Sequence, residues 1–329
     1  MKIIALEEHL VIPSLLDAWR AGPNEVDDQA AAGNGSGPFG ARLLDLGAGR
    51  LAEMDDQGVD TQVLSITQPG VQNLGASQAV PLAREANDLI AATVAAHPDR
   101  FEGFATLPTP DPAAAAAELY RAVGELGLVG AMVFGRTGDK NADHPHHEPL
   151  WEAASALRAP IYIHPQRPRR AVKDVYYSGF GDQRDSMLSS GLIGWHYETG
   201  MQLLRMILGG VFDRNPGLQV IVGHWGELVL FWESRFTMLQ ERGHIPGKLI
   251  IDYFREHVSF TGSGDTSDRS LAWTKDLVGA DRILYATDYP FIDNSGGAAR
   301  SFLTNADLTA QEKEAIGHGN WERLTAHLH

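Results

Sequence analysis

The chain has 329 residues, 43% of them hydrophobic, and carries 42 acidic side chains against 27 Lys and Arg, a formal charge of −15. That length suits one large domain or two ordinary ones, and the charge repels phosphate backbones and anionic lipid heads, so neither nucleic acid nor a membrane is expected as a partner. Cysteine is absent, which removes disulfides, thiolate nucleophiles and cysteine zinc sites and leaves His and carboxylates to hold any metal.

Eight short apolar runs suited to buried strands follow in chain order: KIIALEEH (2–9), VDTQVLSIT (59–67), FEGFATL (101–107), LVGAMVFG (128–135), PIYIHP (160–165), LQVIVGH (218–224), HVSFTG (257–262) and ILYATDYP (283–290). Between them lie stretches with helical periodicity, among them PLAREANDLIAATVAAHP (81–98), DPAAAAAELYRAVGELG (111–127) and EPLWEAASALRA (148–159). Several carry Asp, Glu or Pro near the start and Gly or Pro near the end, as helix boundaries do. This alternation, with no break in composition, predicts an α/β fold, a (β/α)8 TIM barrel formed by residues 1–329 as a single domain.

The best linker candidate, DDQAAAGNGSGPFGA (27–41), follows the first run too early to separate two domains. It reads as a flexible Gly-rich loop insertion over the barrel mouth, or as a loop of no function. The first residues lack the basic and apolar pattern of a secretion signal, and no stretch approaches the roughly twenty apolar residues of a membrane span, so the cytoplasm is the expected location.

A barrel of this kind does its chemistry at the C-terminal ends of its strands. The first run ends in Glu7-Glu8-His9, the fifth at His164, the sixth at His224 and the eighth at Asp288. Two residues apart on a strand, Glu7 and His9 share a face and Glu8 takes the other. Taken singly, each position suits a hydrogen-bonded structural residue. Taken together, Glu7, His9, His164 and Asp288 offer two nitrogens and two oxygens to one divalent cation, zinc or manganese. The fourth run ends without Lys or Glu, so a mononuclear site is expected. His224 and Glu227 stand three apart at a strand-to-helix turn, close enough for the carboxylate to orient the ring, or for Glu227 simply to favour the helix N-terminus.

These strand ends, with ANDLIAATVAAHPDRFEGFATLP, GLVGAMV, ETGMQLLRMILGGVFDRNPGLQVIVGHWGE and DRILYATDYPF, resemble the amidohydrolase superfamily, in its branch of non-oxidative decarboxylases acting on hydroxylated benzoates. Hydrolytic members usually begin with His-x-His, whereas the decarboxylases often have Glu-x-His, as here. The resemblance implies Glu7, His9, His164 and Asp288 as metal ligands, His224 as the active-site histidine with Glu227 paired to it, and Asp288 as proton donor to the ring. It further implies an aromatic carboxylate substrate, release of CO2, no organic cofactor, and a homo-oligomer, dimer or tetramer. The chain departs from the pattern at Phe134-Gly135-Arg136 and over 166–183, segments expected to line the substrate pocket.

Arg235, eight residues beyond Glu227, is the candidate contact for a substrate anion, and Arg167, Arg169 and Arg170 are alternatives that equally suit a surface role. HPHHEP (144–149) reads as a loop and helix entry, His97 as a helix end, His257 as the wrong end of its strand, and GNGSG (33–37) lacks the context of a phosphate loop. Two rival functions remain at this stage: a metal-dependent hydrolase of an ester, lactone or amide, and a silent barrel that binds without turnover.

Overall fold

The computed structural model describes residues 1–22, 31, 33–245 and 247–328. The part of the Gly-rich stretch at 27–30 and 32 lies outside the described residues. Parallel strands form two sheets, β1–β2–β3 (Ile4–Leu10, Thr61–Ile66, Phe101–Gly103) and β4–β5–β6–β7–β8 (Ala105–Thr106, Ala131–Val133, Ile161–Ile163, Val220–Val222, Val258–Phe260). β3 and β4 are halves of one expected run, joined through Phe104, whose N–H donates to the Leu64 carbonyl at 2.8 Å. The eighth run does not form a regular strand. It closes the ring through single bridges, Phe260 with Ile283 on one side and Leu6 with Ala286 on the other. With helices following the strands, the architecture is the (β/α)8 barrel.

Side-chain alternation places the core. Tyr162, Ile221, Met132, Leu6 and Leu284 fill the barrel interior, while their neighbours Ile161, Val220, Ala131, Ala5 and Ile283 pack outward against the helices. Trp321, on the helix Asn320–Thr325, plugs the bottom edge-to-face on Phe104 and donates its indole N–H to Glu102 at 2.7 Å. Burial of so large a ring contributes on the order of 3 kcal/mol.

The helices match the expected stretches with shifted ends. The helix Pro112–Gly124 starts where Asp111 caps it by accepting from the Ala114 N–H, and Glu148–Leu157 covers the third stretch. The helix of the first stretch, Ala76–Ala96, begins earlier than its sequence pattern and holds Pro81 within its length. Residues 37–41, expected as loop, instead open the helix Gly37–Leu44, because Pro38 suits a first turn and Phe39 and Leu43 share a face. Phe39 packs edge-on against Phe291, so this segment does reach the barrel mouth. Among the described residues, no helix is long and apolar enough to cross a membrane.

Candidate active site

β1 carries an extra residue. Its register on β2 shifts between Ala5 and Glu8, and Glu7 sits at φ 64°, in the left-handed region. The consequence is chemical: Ile4 and Leu6 face the interior, so strict alternation would turn Glu8 inward and Glu7 outward. The bulge reverses the phase, sending Glu7 and His9 into the barrel mouth and Glu8 into the wall. Glu8 there accepts from the Gln62 amide at 2.9 Å and from the Thr287 N–H and hydroxyl at 3.0 and 2.8 Å. Fully buried Arg50 braces the same wall, donating to Gln62 at 2.7 Å and to the His9 carbonyl at 2.9 Å while lying over the Tyr289 ring.

One Glu7 oxygen, Oε2, accepts from the hydroxyls of Tyr162 and Ser263. A Cβ at Gly223 would come within 2.2 Å of the Ser263 hydroxyl, so only glycine lets these groups approach. The other oxygen, Oε1, has no hydrogen bond and stands 3.2 Å from His164 Nε2. The His164 Nδ1 proton is committed to the Pro165 carbonyl at 2.8 Å, which leaves a lone pair on Nε2. His9 Nε2 is likewise buried and unpartnered, 3.4 Å from Asp288 Oδ1. One ligand atom from each of Glu7, His9, His164 and Asp288 lies within 4.8 Å of all the others. Two imidazole nitrogens and two carboxylate oxygens converging on one point are a ligand set for a divalent cation, which would offset the cost of burying the carboxylates.

The charges are consistent with a cation site. Burial raises the Glu7 carboxyl, but hydrogen bonding and positive charge around it, that of His224 included, outweigh burial and bring it down to about 2. Burial holds His9 in the neutral form that ligates metals. Burial and the Glu7 charge push Asp288 well above the ordinary carboxylate range.

Beside the cluster, His224 Nδ1 donates to Glu227 Oε1 at 2.7 Å, so the expected pair is present. Burial opposes protonation of His224, and the Glu227 charge reverses this, raising the ring to about 10. The turn that presents the pair is strained: His224, Trp225, Glu227 and Leu228 all have positive φ, as do Ser263 and Asp288. Such residues cost on the order of 1–3 kcal/mol each and gather where function requires them.

A cavity of about 740 Å³ opens above these groups, with Met187, Leu228, Phe291 and Ile292 on its walls and Gln68, His164, His196, His224, Ser263 and Asp288 among its polar lining. Arg235 is not part of it. That residue lines a separate groove with Phe231, Trp232 and Trp273, because the helix Glu233–Glu241 leads away from the strained turn. Arg167 reaches Ser186 instead, and among the described residues no Lys or Arg lines the cavity. His146 bonds the Thr109 carbonyl and His257 the Leu218 carbonyl, both structural. Sequence reasoning missed Tyr162, Ser263, Gln68 and His196, none of which ends a strand.

A family model described as Amidohydrolase matches residues 40–324. The chain belongs to the amidohydrolase family. It is similar to the gamma-resorcylate decarboxylase of Rhizobium radiobacter, 36% identical over 340 residues that cover 98% of this amidohydrolase and 97% of the relative. Its fold superposes on the 5-carboxyvanillate decarboxylase of Sphingomonas paucimobilis with a TM-score of 0.90 at 33% identity, covering 99% of each chain. A second 5-carboxyvanillate decarboxylase, from Novosphingobium aromaticivorans, matches with a TM-score of 0.90 at 31% identity over 99% of this chain and 96% of that one; it was solved with manganese and 4-hydroxy-3-methoxy-5-nitrobenzoic acid.

Proposed function

We propose that this amidohydrolase is a metal-dependent carboxy-lyase that removes CO2 from a hydroxylated aromatic acid without oxidation. The observation that carries the reading is the convergence of Glu7, His9, His164 and Asp288 on one point, beside the His224–Glu227 pair and beneath an apolar-walled cavity. Relatives that match nearly the whole chain are decarboxylases of ring acids, which favours CO2 release over the hydrolytic rival.

Glu7, His9, His164 and Asp288 would hold the ion, manganese as in the solved relatives or zinc. When bound, it would supply the positive charge that a substrate carboxylate and adjacent phenolic oxygen need in a cavity that no Lys or Arg lines among the described residues. Phe291, Ile292, Leu228 and Met187 offer the ring an apolar wall. Asp288, which stands among the ligand atoms and also lines the cavity, delivers a proton to the ring carbon bearing the carboxylate. The C–C bond then breaks, its electron pair restores aromaticity, and CO2 leaves. His224, charged through its contact with Glu227, returns a proton to the site.

We further propose a homo-oligomer, a dimer or tetramer. Phe231, Trp232 and Trp273 are 62%, 51% and 49% exposed, with Phe231 stacked on Trp273, an apolar face suited to a second copy. Arg235 stands on that face.

The deciding assay offers the manganese- or zinc-loaded protein a panel of hydroxybenzoates and simple esters and follows CO2 with the aromatic products. CO2 and the matching phenol are expected. Ester cleavage with no CO2 from any acid would transfer the assignment to a hydrolase.

A further inference from the structure

The helix Gly194–Leu208 brings a second imidazole to Glu227. His196 Nδ1 lies 2.8 Å from Glu227 Oε2, while His224 Nδ1 lies 2.7 Å from Oε1, and the two rings approach edge-on with centroids 4.5 Å apart. An ionised carboxylate only accepts, so both rings donate to it. Glu227 is 1% exposed, so water does not stand in for either donor. At its other nitrogen, His196 accepts from the Trp195 indole N–H at 3.1 Å. Its ring nitrogens are thus engaged with protein groups, whereas among the described residues no hydrogen bond engages His224 Nε2.

We propose that His196 is a positioning residue: by occupying the second oxygen of Glu227 it fixes the carboxylate, which in turn aims His224 at the reacting atoms. Were Oε2 left without a donor, the buried carboxylate would rotate or take up a proton, and either change loosens its hold on His224. The charged neighbours are accounted for. Glu227 and His224 face His196 from the turn after β7, and Glu198, on the same helix, pairs instead with Arg136. The trio also has the composition of a cation site, but both Nδ1 protons would have to be lost for the rings to ligate through those atoms. The inference rests on the reading of His224 as a proton-transfer residue.

The test compares His196→Leu, which removes the donor, with His196→Asn, whose amide N–H can occupy the Nδ1 position. In the manganese-loaded enzyme with its aromatic acid, His196→Leu lowers kcat by about ten- to a hundredfold with KM within about twofold, and His196→Asn recovers most of the loss. In a Glu227→Gln background His196→Leu adds little, since the route of its effect is already gone. Independently of turnover, the zinc-loaded protein labelled with 15N-histidine shows a low-field His224 Nδ1–H resonance that His196→Leu shifts or broadens and His196→Asn keeps. Bound metal remains at one equivalent per chain in all variants. Equal loss in Leu and Asn variants, an unmoved His224 resonance, or a second metal equivalent that disappears with His196 would each overturn the proposal. If no aromatic acid is turned over, the decarboxylase reading falls while the resonance still judges His196.

Discussion

His164 Nε2 and Glu7 Oε1 face each other across 3.2 Å, both buried, with His164 Nδ1 engaged by the Pro165 carbonyl on the far side of the ring. A nitrogen and a carboxylate oxygen presented this way suit a cation held beside them. Stripping the protein with a chelator is therefore expected to abolish CO2 release and lower Tm, and adding manganese or zinc to restore both. At free metal a hundredfold above Kd the stabilisation is about 2.7 kcal/mol. Scanning calorimetry with and without metal checks this, and identical Tm values in the two samples would disprove a preformed cation site.

The His224 ring, raised to about 10 by Glu227 against the opposing effect of burial, is charged through the neutral range. A raised folded-state value means that the pair stabilises the fold fully below the ordinary histidine range and loses that contribution as pH climbs through about 10. Glu227→Gln removes the cause. The alkaline limb of the kcat/KM profile should then move down by at least about one pH unit, with kcat reduced on the order of a hundredfold. A pH profile identical to that of the parent enzyme would count against the pair.

His147 provides a pH prediction away from the chemistry. Burial pushes its ring down to about 4, with the Lys140 carbonyl 3.4 Å away only partly offsetting this. The unfolded chain binds that proton near pH 6.5, so the stability His147 permits is present above pH 6.5 and lost as pH falls toward 4, up to about 3 kcal/mol. Urea titrations of the parent and His147→Leu at pH 7 and pH 4.5 measure it. The variant should be less sensitive to acid than the parent.

Gln68 is 8% exposed, lines the cavity, and its side-chain amide has no hydrogen-bond partner among the described residues. Such an amide is suited to a hydroxyl or carboxylate oxygen on the substrate. Replacing it by Leu should raise KM about tenfold with a smaller change in kcat. Steady-state kinetics with the best acid from the panel decides it, and an unchanged KM would remove Gln68 from substrate recognition.

The site was largely legible because barrel geometry confines chemistry to strand ends. Glu7, His9, His164, His224 and Asp288 each close an apolar run, and Glu227 follows His224 at hydrogen-bonding distance in sequence. The groups that refine the site were hidden for physical reasons. Tyr162 reads as one more apolar strand residue until its hydroxyl is seen on Glu7, and Ser263 lies past a strand end in a turn of positive φ. His196 is on a helix, where no period marks a functional side chain, and its partner is 31 residues away. Arg235 was misplaced because spacing along a helix does not reveal that the strained turn before it carries the helix away from the cavity. The barrel itself followed from the runs, whereas the bridge-only closure at 283–286 depends on register, which composition does not encode.

The out-of-step residue at Glu7 also separates two kinds of inheritance within one strand. Upstream of it, substitutions are judged by how they fill the barrel floor; downstream, by what they present to a ligand, and neither half dictates the phase of the other. Deleting Glu7 would keep the oily pattern intact, with Leu6 and His9 still inward and Glu8 still in the wall, yet would strip the rim of its carboxylate, a silent-looking edit that would disarm the enzyme.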